Sequence, residues 1–470
     1  PARRLLDARE PAAAAAALER MIASPDFAAL SPAARTRALA LAGAARLELG
    51  QWHAASVWLK RASLTPAATS KEWRYRLKVD EGAEIYPIKA GEDDVPEAEL
   101  SRDAALTLAT LAWKWPAAAG ALDDALVEPV LASDAELPRP LRLDVLRALF
   151  LAHWKRRGRF EPDRAWRDLA RLLIEDGRLD EAAAVVARIE DPYVLIGMRA
   201  DKRFDPVASV LTGQDVSEAA LAQVLRLTRY AESGPRSLER WLFLTHELLA
   251  VREDRIVLQL TDDSVAPGSG PRYKDAGLRN WELDDRARAL EGLGRWDEAV
   301  VVLERAQHLS EGGDVNVSQS INLASLLVSL GRPRRALAAV AGLAAMSPYG
   351  RMQVEEVRLE AALERGRRRD AARALDYLRA HASDAPRTYL DALVEAGRPA
   401  EAAARLIALL KDPDERTETL TELQHYDRGP LTRRDRRSLA RWDALLARTD
   451  VRAEIAAVGR RLRYRLAPPD

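Results

Sequence analysis

The sequence contains no cysteine and only six histidines. Without thiols the chain has no disulfide, no thiolate metal site and no cysteine nucleophile. Residues 245–250 read THELLA, and the second histidine of a zinc-protease HExxH motif would fall at Ala250. We therefore predict no cofactor and no bound metal.

An excess of one charge and long apolar runs are also missing. The formal net charge is zero, so no overall attraction to nucleic acid or to an anionic membrane is expected. The longest weakly charged stretch, residues 104–122, contains Lys114 and Pro116 and falls short of a membrane span. No GxSxG elbow occurs, and Ala266–Lys274 lacks the spacing of a phosphate loop. The sequence offers no recognisable catalytic motif.

The sequence starts at Pro1 rather than at a methionine. A removed leader would explain this and slightly favours a periplasmic or exported protein. Clipping of an initiator methionine before proline is the alternative, and it favours a cytoplasmic protein. The absence of cysteine is compatible with both locations. Nothing in the sequence indicates an oligomeric state.

What the sequence does contain is a repeated pattern in which glycine stands five residues before alanine. EGLGRWDEA at Glu291–Ala299 is one example. An amphipathic stretch precedes the glycine, which ends a helix by taking the left-handed conformation. Acidic residues or proline then begin the next helix. The pattern predicts helix–turn–helix pairs turning at Gly50, Gly177, Gly294, Gly331, Gly366 and Gly397.

The last four of these glycines are 37, 35 and 31 residues apart, close to the period of a helix-pair repeat. In Trp281–Ser310, Ala287, Gly294, Trp296, Ala299 and Ala306 stand where the motif of a tetratricopeptide repeat (TPR) has its small and aromatic residues. The sequence therefore resembles a TPR protein. Ser318–Pro348 also matches well, Asp163–Ala182 is less regular, and a pair around Gly43 and Gly50 fits, whereas the units at Gly366 and Gly397 are degenerate. The resemblance implies an all-α, right-handed superhelical solenoid of antiparallel helix pairs.

Loops and composition suggest a domain organisation along the chain. We predict a degenerate N-terminal helical array over residues 1–260 with an acidic loop at 79–100, where eight acids accompany one lysine. Residues 261–280, rich in Gly, Pro and Ser, form a loop or linker. More regular repeats follow over 281–427, and arginine-rich capping helices over 428–470.

The arginine-rich segment has two interpretations. From Arg428 to Arg465, twelve arginines accompany four acids, which suits binding of phosphate or of an acidic partner. Leu439, Trp442, Leu445 and Leu446 recur at helical spacing, which suits a capping helix with a solvated outer face. We favour the cap.

A solenoid presents a concave surface made by the first helix of each pair. The resemblance implies that the residues about six, nine or ten, and thirteen positions before each turn glycine face this surface. Their mixed charge suits an extended peptide or protein segment, and the favoured function is a non-enzymatic scaffold or adaptor. The predicted groove residues are Arg164, Arg167, Arg171, Trp281, Asp284, Arg288, Ser318, Asn322, Ser325, Glu356, Glu360 and Asp391.

The three groove arginines lie at spacings of three and four and share one helix face. They form either a basic stripe for a partner carboxylate or pairs with Asp163, Asp168 and Glu175. That second interpretation keeps the helix soluble without binding anything.

The alternative function is a carbohydrate-binding or hydrolytic protein on a helical frame. Trp113 and Trp115 are two residues apart, so they face different directions on a helix, and one of them would be exposed as a ligand platform. A deep cavity with converging carboxylates would favour this function, and an open groove would favour the adaptor.

Overall fold

The structure is a computed structural model. It describes residues 10–49, 51–63, 116–120, 124–132, 137–156, 160–233, 237–262, 275–343 and 346–469, with a few single positions between 105 and 122. The acidic loop at 79–100, most of the predicted linker at 261–280, Gly50 and Trp115 lie outside the described residues.

The chain forms two compact units, residues 1–189 and residues 190–470. The predicted boundary at 261–280 falls inside the second unit.

The first unit is helical throughout its described part. Leu18, Leu39 and Leu59 pack in one core cluster, and Trp166 is buried with its indole donating to Glu161 at 2.8 Å. Its α-helices are α1 (Pro11–Ala23), α2 (Pro32–Glu48), α3 (Trp52–Ser63), α4 (Pro116–Ala119), α5 (Asp124–Ala132), α6 (Arg139–Leu151), α7 (Asp163–Glu175) and α8 (Leu179–Val186), with a 3₁₀ turn at Pro25–Phe27.

The second unit is a longer run of helices. They are α9 (Pro192–Ala200), α10 (Ala208–Gly213), α11 (Val216–Glu232), α12 (Leu238–Ala250), α13 (Asp254–Leu260), α14 (Arg279–Gly292), α15 (Trp296–Ala306), α16 (Ser318–Ser329), α17 (Pro333–Ala339), α18 (Pro348–Glu364), α19 (Arg368–Ala380), α20 (Pro386–Glu395), α21 (Pro399–Lys411), α22 (Arg416–Glu422), α23 (Arg433–Leu446) and α24 (Thr449–Val458). Two 3₁₀ turns lie at Lys202–Val207 and Ala276–Leu278.

The predicted turn glycines have the left-handed conformation. Gly177, Gly294, Gly331, Gly366 and Gly397 have φ between 65° and 73°. At Gly331 the backbone N–H bonds to Val328 and that of Arg332 bonds to Leu327, the two hydrogen bonds of a Schellman motif. The alanine five residues after each of these glycines is buried, so the second helix packs closely on the first. The helix-pair prediction is confirmed at these five turns.

Two further turns have the same backbone without glycine. His153 and Arg252 have φ of 52° and 65°, and each is followed by the same pair of hydrogen bonds back to the helix end. The turn at Arg252 joins α12 to α13, so the second unit contains a helix pair that the glycine pattern did not reveal.

The helix pairs of the second unit stack on one another. The first helices α14, α16, α18 and α20 pack side by side, each also packing on its own second helix. Beyond α21 the chain turns back, and α23 packs on α16, α20 and α21. Among the described residues only isolated β-bridges occur, and within that part of the chain no helix is both long and apolar enough to cross a membrane.

The beginning and the end of the second unit also meet. Helix α9 packs on α22, where Gly197 lies against Thr421 and Thr417. The Tyr193 hydroxyl donates to the Ala467 carbonyl at 2.9 Å, and the Ala467 N–H donates to Ala250 at 2.8 Å. The unit is therefore a closed array rather than an open-ended one.

Candidate functional site

The first-helix face is the surface formed by the predicted groove residues of α14, α16, α18 and α20. On its α14–α16 part, the Asn322 Nδ2 donates to Oδ1 of buried Asp284 at 2.8 Å. Trp281 is 38 % exposed, and Asn322 and Ser325 are exposed as well. Arg288 and Ser318 are half-buried. Within the described residues, this part of the face is therefore open at Trp281, Asn322 and Ser325.

The α18–α20 part of the face is acidic and covered. Glu356 and Glu360 lie one helical turn apart on α18, and Asp391 and Glu395 lie one turn apart on α20. Helix α23 lies over these four carboxylates and inserts Arg434, whose side chain is 9 % exposed. Its Nη2 is 3.0 Å from Glu360 Oε1 and 2.9 Å from Glu395 Oε2. The structure thus brings Glu356, Glu360 and Asp391 together, around an arginine from the same chain.

Two further arginines of α23 extend this contact. Arg437 bonds to Glu364 at 2.8 Å, and Arg441 donates to both the carboxylate and the backbone carbonyl of Glu395, at 2.8 and 3.1 Å. Glu364 and Glu395 are the last residues of α18 and α20. Because the negative end of the helix dipole lies there, arginines are favoured at these positions.

Burial and mutual repulsion change the protonation of the acidic cluster. Burial, followed by the charges of Glu360 and Glu395, raises the pKa of Asp391 to about 7. Burial raises the pKa of Glu360 to about 7, against the attraction of Arg434. Burial beside Glu360 and Asp391 places the pKa of Glu356 well above its ordinary range. One buried arginine does not neutralise all these acids, so protons take up part of the charge.

The arginine-rich segment thus binds acids, and those acids belong to the same chain. Leu445 and Leu446 of α23 pack in the core, Arg433 and Arg436 are exposed, and Arg434 is buried. Arg434 is not among the predicted site residues. A signal was present: Arg434, Arg437 and Arg441 recur at spacings of three and four on one face of α23, as the carboxylates do on α18 and α20.

A cavity of about 580 Å³ lies beside this contact. We call it the C-terminal cavity; α20, α21, α22, α23 and the segment 423–431 enclose it. Leu390, Leu406, Leu409 and Trp442 form part of an apolar wall, and the Trp442 indole donates to Asp391. The charged residues that line it are Arg387, Arg428, Arg434, Arg461, Asp391, Glu422, Asp435 and Asp443.

The predicted basic stripe lies in the first unit, on α7. Arg164 is exposed. Arg167 is 3.2 Å from Asp168, and buried Arg171 is 3.0 Å from Glu175. Asp168 also pairs with Arg142 at 3.2 Å. Two of the three arginines therefore form the ion pairs of the alternative interpretation.

The candidate ligand platform of the first unit is at Trp113. Trp113 is exposed, and the guanidinium carbon of Arg147 lies 5.2 Å from its ring centre. In the described part of the chain, no group of three or more histidines and acids is placed to hold a metal ion.

No protein-family model matches the chain, and no curated protein matches it significantly. Among solved structures, it is similar to a chain of the crystal structure of the APC/C hetero-tetramer Cut9-Hcn1. The identity is 12 %, over 97 % of this chain and 94 % of that one, with a TM-score of 0.23. It is also similar to a circular tandem repeat protein with novel repeat topology and enhanced subunit contact surfaces, at 14 % identity over 97 % and 88 %, with a TM-score of 0.13.

At these TM-scores the fold assignment rests on the helix pairs themselves. Antiparallel pairs with left-handed residues at their turns, stacked through their first helices, make the chain a TPR-like helical repeat protein. The all-α solenoid prediction is confirmed.

Proposed function

We propose that the chain is a non-enzymatic interaction scaffold that holds a segment of a protein partner on the first-helix face of its second unit. The observation that supports this most is the position of α23. A helix of this chain already lies on that face, held through arginine–carboxylate pairs. A surface that binds one helix in this way has the chemistry to bind another segment beside it.

The open α14–α16 part of the face is where the partner segment would bind. Trp281 offers a large amphipathic side chain of the kind that dominates binding energy at interfaces. Asn322 and Ser325 offer hydrogen-bonding groups on the neighbouring helix. Asp284 accepts a hydrogen bond from Asn322, so the Asp284 carboxylate orients the Asn322 amide and does not contact the partner. The predicted stripe on α7 is a weaker candidate, since Arg167 and Arg171 are already paired.

The test is site-specific photocrosslinking with the full chain. A photoreactive residue is placed at Ser325 on the open face, and a matched one at Val301, which is exposed on the second helix α15. Both proteins are exposed to an extract of the native host, and the crosslinked proteins are identified. A partner that crosslinks from Ser325 and not from Val301 is then purified.

Binding of that partner is measured by calorimetry. Trp281→Ala should weaken its affinity at least tenfold, whereas Val301→Ala should leave it unchanged. Equal crosslinking from both positions, or full affinity in Trp281→Ala with normal folding, would rule out this face as the binding surface.

The acidic cluster favours a second candidate function, hydrolysis of a glycoside. Glu360 and Asp391 have pKa values near 7 beside a cavity that also presents Trp442. A carboxylic acid that is protonated near neutral pH can serve as a general acid. The pairing of Glu360 and Glu395 with Arg434 argues for a structural role instead.

A panel of chromogenic glycosides separates the two candidates. Turnover by the full chain that is lost in Asp391→Asn, with the fold intact, would establish the hydrolase. If the wild-type chain turns over none of them, or if Asp391→Asn retains the activity, the acidic cluster is structural.

A further inference from the structure

The four arginines that line the C-terminal cavity differ in their partners. Arg434 pairs with Glu360 and Glu395, and Arg387 pairs with Glu422. Arg428 forms no hydrogen bond or ion pair with any residue in the described part of the chain. Arg461 uses only its Nε, which donates to the Leu423 carbonyl at 2.7 Å. Two guanidinium groups therefore present unused donors at the cavity.

Of the four acids that line the cavity, one acts on both of these arginines. Asp443 is the acid that attracts both of them, and it forms an ion pair with neither. Burial lowers the pKa of both arginines. Next to them, burial and then the charges of Arg461 and Arg463 lower the pKa of His425. Arg428 and His425 are exposed and Arg461 is half-buried, so the positive charge at this side of the cavity is accessible to a ligand from solvent.

The structure holds Arg461 and His425 in place through the backbone. The His425 N–H donates to Leu462 and the Tyr464 N–H donates to His425, at 2.9 and 2.8 Å. Segments 423–427 and 461–466 therefore run side by side, and their residues line a preformed rim. Preformed groups lose little conformational freedom on binding.

Part of the remaining lining of the cavity is apolar. Leu431, Leu439 and Trp442 line it and are half-buried, and the cavity volume of about 580 Å³ lies in the range of small-molecule sites. An apolar wall with two unpaired guanidinium groups at one side matches a ligand that has an apolar body and one anionic end. A guanidinium binds a carboxylate or a phosphate through two parallel N–H donors.

We propose that the C-terminal cavity binds a small amphipathic oxyanion, with its carboxylate or phosphate on Arg428 and Arg461 and its apolar body on the apolar wall. This site is separate from the open α14–α16 surface assigned to the protein partner, so either proposal can fail without the other.

Calorimetry on the full chain tests the site with four probes that share an eight-carbon body: octanoate, octyl phosphate, octanol and octyltrimethylammonium. We expect at least one of the two anions to bind, and octanol and the cation to bind at least tenfold more weakly. Binding by octanoate alone identifies a carboxylate ligand, and binding by octyl phosphate alone identifies a phosphate ligand.

The variants Arg428→Met and Arg461→Met should each weaken anion binding at least tenfold. Arg369→Met, which removes an exposed arginine of α19, is the matched control and should bind normally. Arg461 also donates to the Leu423 carbonyl, so Arg461→Met can fail to fold. In that case the anion affinity of Arg428→Met tests the proposal. Octanol binding as tightly as the anions, no binding by either anion, or unchanged affinity in Arg428→Met would overturn the proposal.

Discussion

The left-handed glycines show what a single residue contributes to this fold. Gly331 has open space around the position of a Cβ atom, so its requirement is purely conformational. At Gly294 a Cβ would also lie 3.3 Å from Pro430, which lies in the loop three positions before α23 begins. The same turn glycine therefore has a second, steric role where the chain folds back.

Replacing Gly331 by alanine should destabilise the second unit by about 1 kcal/mol, because an L side chain resists positive φ. Gly294→Ala should cost more, since Pro430 must also move. Thermal or urea unfolding measures both. Gly342→Ala is the control: its position is equally open and its φ is not positive, so it should be neutral or slightly stabilising. Equal stabilities for Gly331→Ala and Gly342→Ala would contradict the argument.

Asp391 connects a single carboxyl group to the pH dependence of stability. Its folded-state pKa is raised from 3.8 to about 7, so the folded chain binds a proton that the unfolded chain has lost across this interval. The contribution of Asp391 to the free energy of unfolding therefore falls as the pH rises from 3.8 to 7, and it is constant at higher pH. Asp391→Asn removes this loss.

At pH 8 the Asp391→Asn variant should be more stable than the wild type by about 1 kcal/mol or more. The difference should shrink as the pH falls below 6. Urea unfolding at several pH values measures it, with Asp384→Asn, an exposed aspartate, as the control. A difference that stays constant with pH would mean that Asp391 is ionised normally in the folded chain.

At the scale of the element, α23 is held by its core residues Leu445 and Leu446 and by the buried side chain of Arg434. Arg434→Met would leave Glu360 and Glu395 without their cation in a desolvated place, and breaking such a pair from one side costs about 3 kcal/mol. Arg433→Met removes the neighbouring exposed arginine and should change stability by less than about 0.5 kcal/mol. The free energy of unfolding of each variant measures the effect. Similar values for Arg434→Met and Arg433→Met would show that the ion pairs of Arg434 contribute little to stability.

The effect of Arg434→Met should also depend on pH. When the carboxylates are protonated they no longer need a cation, so the destabilisation should be smaller at pH 5.5 than at pH 8. A loss of stability that is larger at the lower pH would contradict this account of the acidic cluster.

The helix pairs could be predicted from the sequence because their signals are local. A turn glycine, the buried alanine five residues later and the amphipathic runs all lie within about thirty positions. The turns at His153 and Arg252 escaped because a residue other than glycine takes the left-handed conformation there. Arg252 is supported by its contact with the Gly292 carbonyl at 3.0 Å, which lies forty residues away.

The position of α23 could not be predicted because its partners are distant in sequence. Arg434 meets Glu360 and Glu395, which are 74 and 39 residues earlier, and nothing local separates such arginines from solvated ones. Charged residues that recur at spacings of three and four give the same sequence pattern whether that helix face meets water or another helix. For the same reason the predicted groove residues were assigned to one surface, although they fall in two units and the acidic ones are covered.

At the scale of the whole molecule, the second unit depends on the contact between α9 and α22. A Cβ at Gly197 would lie 2.4 Å from the Thr421 Oγ1 and 3.0 Å from the Thr417 Cγ2. Gly197→Val should therefore force the two helices apart and destabilise the unit by about 2 kcal/mol. Gly213→Val, at an open position, is the control.

Hydrogen exchange locates the effect of Gly197→Val. Protection should fall in α9 and α22 together, although they are more than two hundred residues apart in sequence. Exchange that increases in α9 alone would mean that the two ends of the unit are independent.

This closure has a consequence for the order in which the unit folds. An open solenoid can grow from any repeat by adding neighbours, but here the first helix of the unit needs residues 417–467 for its packing. During synthesis those residues leave the ribosome last within the unit. Until then α9 lacks one side of its core, and the carboxylates of α18 and α20 lack Arg434. Since domains with such distant contacts fold slowly, the nascent chain would expose its acidic first-helix surface to whatever basic segments are nearby for the whole of that interval.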